Sequence, residues 1–311
     1  MERSELEDLV AANRILAEHG VIDAYGHVSL RSPDNPKRFF LARAIAPETV
    51  QIEDILEYDL DSNPLEPKGQ QSVNERFIHS EIYRARPDVM SVVHNHSPSV
   101  VPFSVTGVKM RALFHMASFI GDGLPNFEIR KVKKGSDLLV RDPKLGAALA
   151  RTLGKSAAAL MRGHGSVTVG ENLQRAVGRS VYLEMSAIMQ MQALLLSKKI
   201  TYFDAAEVKA SAPVQDYKRA WPLWREKALA KTLGKKPAAL MRGHGSVVTG
   251  EDLPRAVGRS IYLEASARMQ MQALLLSNKI TYLDAAEVKA SAPVQDYKRA
   301  WPLWRAKALN A

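Results

Sequence analysis

Cysteine is absent from all 311 residues. That excludes disulfides, thiolate metal sites and a cysteine nucleophile, and leaves His, Asp and Glu as the available metal ligands. No apolar run approaches the roughly 18 residues that a membrane-crossing helix needs. The N-terminus, MERSELEDLVAANRILAEHG, alternates charge with apolar residues at helical spacing and lacks the apolar stretch of a secretory signal. A cytoplasmic protein with no membrane partner is therefore expected. Basic clusters are missing as well. The net charge is +10, yet no run of five or more Lys/Arg occurs and no aromatic interleaving accompanies the scattered cations. No nucleic-acid partner is expected from that pattern. What remains is an ordinary globular composition, 46% hydrophobic and 24% charged.

A long internal repeat is present. Residues 152–231 and 232–311 align without a gap at an offset of 80, with 66 identities in 80 positions. The second copy carries 12 Lys/Arg and 6 Asp/Glu, so more than half of the net charge sits in a duplicate. Two copies are too few to stack as a solenoid. ALARTLGK precedes the first copy and ALAKTLGK the second, as a crossover between related genes at that stretch would leave them. The expected organisation is a catalytic domain over 1–231 and a near-duplicate of 152–231 over 232–311. Each copy reads as a strand, a turn and a long helix, Leu173 to Ser197 in the first. Such a segment cannot bury its strand alone and needs a sheet built by residues 1–150. Only one copy can fill one position in that sheet, and the sequence does not decide which.

In the first half, residues 4–19 read as a helix with Leu6, Leu9, Val10, Ile15 and Leu16 on one face. Strands are expected up to Arg31, over Arg38 to Ala42, over Asp54 to Leu60 and over Val89 to Asn95. A helix over Asn74 to Ala85, capped by Asn74 or Ser72, precedes the last of these. Strands and helices mixed in this order indicate an α/β sandwich.

The informative tetrapeptide is Val93-His94-Asn95-His96. Side chains alternate along a strand, so His94 and His96 share one face and can take adjacent positions of a metal ion. Two satisfied structural histidines give the same pattern. The strand is apolar and ends at the pair, where a loop-facing site belongs. His164 stands between glycines in Met161-Arg162-Gly163-His164-Gly165, where the backbone can turn sharply and approach a site closely. His244 is its copy. Glu75, 19 residues before His94, reads as a fourth ligand, a general acid/base or a carboxylate placed by a helix N-terminus.

Together these residues resemble the class II aldolase/adducin family over roughly residues 5–220. The resemblance rests on Gly26 to Arg31, on Glu75 in NERFIHSEIYRARPDV, on VVHNHS at 92–97 and on RGHG at 162–165. It implies a three-layer α/β/α sandwich with a central, mainly antiparallel sheet, and a homotetramer with sites at subunit interfaces. It further implies one divalent ion per site on His94, His96 and His164 (or His244), with Glu75 as the acid/base. Imidazole ligation suits zinc, manganese, cobalt or iron.

The sequence departs from the family's sugar-phosphate members. His27 stands where they carry Asn, Ala42 to Glu48 replaces their Ser-Gly phosphate loop, and Met116, beside His115, takes the place of their tyrosine. GHVS, LARAIAPE and LFHMASFIGDGLP resemble instead a branch that includes decarboxylases of dihydroxyphthalates and hydroxypyridine dicarboxylates. The expected activity is decarboxylation of a small hydroxylated aromatic or heteroaromatic dicarboxylic acid. Glu75 or His115 then handles the proton, and His27, Arg43 and His115 bind the second carboxylate or the ring hydroxyl. The runner-up is an aldolase acting on a non-phosphorylated hydroxy-oxo acid, followed by a sugar-phosphate aldolase or epimerase. The family also contains non-enzymatic adducin-like heads without the metal site. Retention of all three histidines and Glu75 argues against that reading.

Overall fold

Short strands with alternating side chains come early in the chain, and the computed structural model pairs them into one sheet. It describes residues 2–66, 69–230, 238–241, 245–248, 251–276, 282, 284, 286, 297 and 300–309. Two compact units emerge, Met1–Ala228 and Leu229–Ala311.

In the first unit the strands are β1 (His27–Arg31), β2 (Arg38–Ala42), β3 (Ile55–Asp59), β4 (Ser91–Asn95), β5 (Asn126–Phe127), β6 (Ala158–Met161) and β7 (Gly165–Gly170). Their order is β3-β2-β1-β4-β7-β6-β5. Every neighbouring pair is antiparallel except β5 with β6. The helices are α1 (Arg3–Glu18), α2 (Phe77–Ala85), α3 (Val101–Val105), α4 (Pro143–Leu153), α5 (Leu173–Leu196), α6 (Ala205–Ser211) and α7 (Ala220–Ala230).

Alternation along the strands feeds two cores. Phe39, Leu41, Val92, Val167 and Val169 face α2 and α4, where they meet Ile78, Ile82, Leu145 and Leu149. On the opposite face Ala158 and Leu160 of β6 meet Leu183 and Ala187 of α5, and α1 packs against α5 and β1. Helices on both faces of a mainly antiparallel sheet make the expected α/β/α sandwich.

Caps set several of the helix starts. Asp142 accepts from Leu145 N–H at 2.9 Å with Pro143 in the first turn, and Asn172 accepts from Arg175 N–H at 2.8 Å. The expectation for α2 needs correction. The helix begins at Phe77 and no side chain caps it. Ser72 Oγ instead accepts from the Tyr58 hydroxyl at 2.9 Å. Residues 74–76 form a turn whose carbonyls bond three residues ahead, Glu75 to Ile78 N–H and Arg76 to His79 N–H. This tighter winding leaves the Glu75 side chain outside the regular helix.

In the first copy of the repeat, β6 and β7 are strands of the main sheet. The second unit contains a two-stranded antiparallel sheet, β8 (Ala238–Met241) with β9 (Gly245–Val248), and helix α8 (Leu253–Leu276). Both copies stack the same tyrosines, Tyr182 on Tyr217 at 5.4 Å and Tyr262 on Tyr297 at 5.6 Å between centroids. His244 lies outside the described residues. No described helix is long and apolar enough to cross a membrane.

Candidate metal centre

The site forms where β4 runs out on the face covered by α2 and α4. Val92 is in that core, so His94, two residues on, points the same way. Asn95 turns to the other face, where its Oδ1 accepts from Ser166 Oγ at 2.8 Å and Ser97 N–H at 3.2 Å. His96 follows directly and brings its ring back beside His94, with centroids 5.0 Å apart.

His164 arrives on the turn between β6 and β7. Gly163 holds a left-handed φ of 65°, and its N–H donates to Ser104 Oγ at 2.9 Å. At Gly165 a Cβ would meet the Asn95 carbonyl oxygen at 1.9 Å. Only glycine lets β7 lie this close to β4 and set His164 against His96. Arg162 is held aside by an ion pair to Glu128 at 2.8 Å.

Glu75 reaches in from the turn before α2, 6% exposed. Its Oε1 accepts from Val140 N–H at 2.8 Å, and its Oε2 lies 3.5 Å from Nε2 of both His94 and His164. His96 Nε2 is 3.2 Å from His94 Nε2 and 3.1 Å from His164 Nε2. Ligand atoms of all four residues fall within 4.8 Å of one another.

The donor set fits a divalent cation. Ligand bonds of about 2.0–2.1 Å in a tetrahedron give edges of about 3.3 Å, close to the imidazole separations of 3.1 and 3.2 Å. His94 Nδ1 sits 3.2 Å from the Ser166 carbonyl and His164 Nδ1 3.0 Å from the Leu138 carbonyl. A carbonyl only accepts, so each Nδ1 carries the proton and each Nε2 turns a lone pair to the shared centre. Lone pairs and a carboxylate crowded this closely are satisfied by an interposed positive charge.

Protonation follows the same logic. Burial alone would raise the Glu75 carboxyl, but His94 and His164 hold it well below the usual carboxylate range. Burial, with His94 and His164 alongside, pushes His96 down to about 4. Burial likewise pushes His79 down to about 3 and His27 well below the ordinary imidazole range.

The other expected site residues are placed differently. His27 on β1 pairs with His94 across β1–β4, and its ring lies 5.1 Å from the His94 ring. Arg43 binds Asp54 through Nε at 2.7 Å. His115 is exposed at the start of a 3-10 turn over His115–Ile120, edge-on to Phe114 at 5.0 Å. The backbone partners at Leu138 and Val140 had no signal in the sequence. Leu138 adopts a left-handed φ of 71°, a strained conformation for a leucine that aims its carbonyl at His164.

A family model, the Class II Aldolase and Adducin N-terminal domain, matches residues 7–191 and again 187–271. Decarboxylase tropJ of Talaromyces stipitatus is 35% identical over 240 residues, covering 69% of this chain and 90% of the relative. A 3,4-dihydroxyphthalate decarboxylase of Arthrobacter keyseri is 30% identical over 196 residues, covering 60% and 77% respectively. Among solved structures, L-fuculose 1-phosphate aldolase of Glaciozyma antarctica superposes with a TM-score of 0.61 at 23% identity, covering 74% of this chain and 91% of that one. That last likeness is one of fold.

Proposed function

The chain belongs to the class II aldolase and adducin N-terminal domain family, and on that premise we propose that it is a divalent-metal-dependent lyase that decarboxylates a small hydroxylated aromatic or heteroaromatic acid. The observation that carries the reading is the cluster of Glu75, His94, His96 and His164 around one centre. Decarboxylase tropJ among its relatives supports the reaction, and the 3,4-dihydroxyphthalate decarboxylase supports the substrate class. Zinc, manganese, cobalt and iron all suit this ligand set, and the assembly we propose is a homotetramer in the cytoplasm.

When bound, the cation supplies a Lewis acid beside the oxygenated carbon next to the bond that breaks. His94, His96 and His164 would hold it, and the carbonyls behind His94 and His164 keep their rings in register. Glu75 is ionised at rest, so its first role is to accept a proton. A substrate phenol gives that proton to Glu75 Oε2, which returns it to the ring carbon bearing the carboxylate. Carbon dioxide then leaves, and the electron pair of the broken carbon–carbon bond restores the aromatic ring. The Val140 N–H fixes the other carboxylate oxygen, so the shuttling oxygen stays aimed. Arg43 and His115 are assigned to the second carboxylate or a ring hydroxyl. Arg43 Nε is taken by Asp54, which leaves its terminal nitrogens for that contact.

The test is carbon dioxide release from hydroxylated aromatic and pyridine dicarboxylates with added manganese or zinc. Release that disappears in His94→Ala is the expected result. An aldehyde or pyruvate released from a hydroxy-oxo acid, with no carbon dioxide from any substrate, would select the aldolase reading instead.

A further inference from the structure

A line of buried side chains runs from the core to the site and takes no part in the proton transfer above. Tyr83 Oη lies 2.7 Å from Ser29 Oγ, Ser29 Oγ lies 2.6 Å from His79 Nδ1, and His79 Nε2 lies 2.6 Å from His27 Nδ1. The fold makes this line natural. His27 and Ser29 alternate onto one face of β1, while His79 and Tyr83 stand one turn apart on α2. The first three members of the line are fully buried, and His27 alone keeps 6% exposure beside His94.

The direction of these hydrogen bonds is all-or-none. An imidazole that accepts at one ring nitrogen must carry its proton on the other, where it can only donate, so each bond along the line fixes the next. The choice at one end therefore settles every member. Tyr83 is that end, and burial raises its phenol, which keeps its proton. It can donate to Ser29 Oγ at 2.7 Å or to the Met90 carbonyl at 3.5 Å. The short bond wins, since the longer contact is at the limit of a useful hydrogen bond. Ser29 then donates to His79 Nδ1, and His79 Nε2–H donates to His27 Nδ1. The proton of His27 is left on Nε2, the nitrogen that no described residue engages.

We infer that His79 is a positioning residue that locks His27 as a hydrogen-bond donor, through Nε2–H, toward a bound substrate. The inference rests on the decarboxylase reading for what is bound. A fixed donor there recognises an acceptor oxygen, such as an ionised carboxylate or a phenolate, and cannot accept a proton from a hydroxyl. His27 therefore selects substrate and leaves proton abstraction to Glu75.

Neutron diffraction from crystals of the zinc-loaded full chain, exchanged into deuterium oxide, tests the direction. Deuterium on Nε2 of both His27 and His79 is expected, and deuterium on His27 Nδ1 overturns the assignment. Calorimetric titration with salicylate tests the positioning role. His79→Gln keeps an N–H at the Nε2 position and should retain affinity within about twofold. His79→Leu leaves His27 Nδ1 without a donor and should lose about tenfold, with zinc content unchanged in both. Equal affinity in the two variants, or an equal loss, overturns the role. Neither readout needs turnover, so failure of the decarboxylase reading shows separately, as no carbon dioxide from any substrate.

Discussion

Glu75 carries two tasks that a substitution can separate. Glu75→Gln keeps an oxygen for the Val140 N–H but removes the charge and the proton acceptor. Turnover should fall by about 10²–10⁴-fold, with a smaller loss of bound divalent ion than in His94→Ala, as read by kinetics beside metal analysis. His79 sets a stability signature of its own. In the unfolded chain it takes a proton near its ordinary 6.5, while in the fold it resists until about 3. Between those values the unfolded chain binds more protons, so its contribution is complete above pH 6.5 and is lost as pH falls toward 3. The expected slope is about 1.4 kcal/mol per pH unit from this residue. Urea unfolding across pH 7 to about 4 in EDTA, compared with His79→Gln, reads it, and the variant's slope should be shallower by about one proton.

At the scale of elements, the glycines flanking His164 do different work, and a pair of substitutions separates them. Gly163→Ala must hold a left-handed φ, which costs about 1–2 kcal/mol. Gly165→Ala would drive a methyl into the Asn95 carbonyl, part β7 from β4 and cost more than about 3 kcal/mol. Comparing their urea midpoints checks the order, and a Gly165→Ala protein as stable as Gly163→Ala would contradict the packing. The same turn marks how far the sequence could be read. The period-two pattern of SVVHNH put His94 on one face of a strand, and the strands over 38–42 and near 55–59 also lie where their alternation suggests. The start of α2 was not legible, because Ser72 and Asn74 look like caps until Tyr58 is seen to hold Ser72. Nor were Leu138 and Val140. They act through backbone atoms, which every residue type has, so no letter in the sequence announces them. His79 reads as an ordinary helix residue until β1 brings Ser29 and His27 to its two nitrogens.

For the whole molecule, every member of the four-residue cluster lies within Met1–Ala228. A chain ended at Lys231 should therefore keep the divalent-ion content and turnover of the full chain within about twofold; loss of either would assign the second copy a part in the site. The cluster also draws together three distant stretches of chain, since His96 and His164 meet across 68 residues. An ion shared by those two rings would fasten the chain as a covalent bridge does. Closing a loop of that length withdraws about 4 kcal/mol of disorder from the unfolded chain on the disulfide scale. Such an ion would give a protein without cysteine a clasp that a chelator can open. EDTA should lower the urea midpoint of the full chain and leave that of His94→Ala, already weakened in its grip on the ion, nearly where it was.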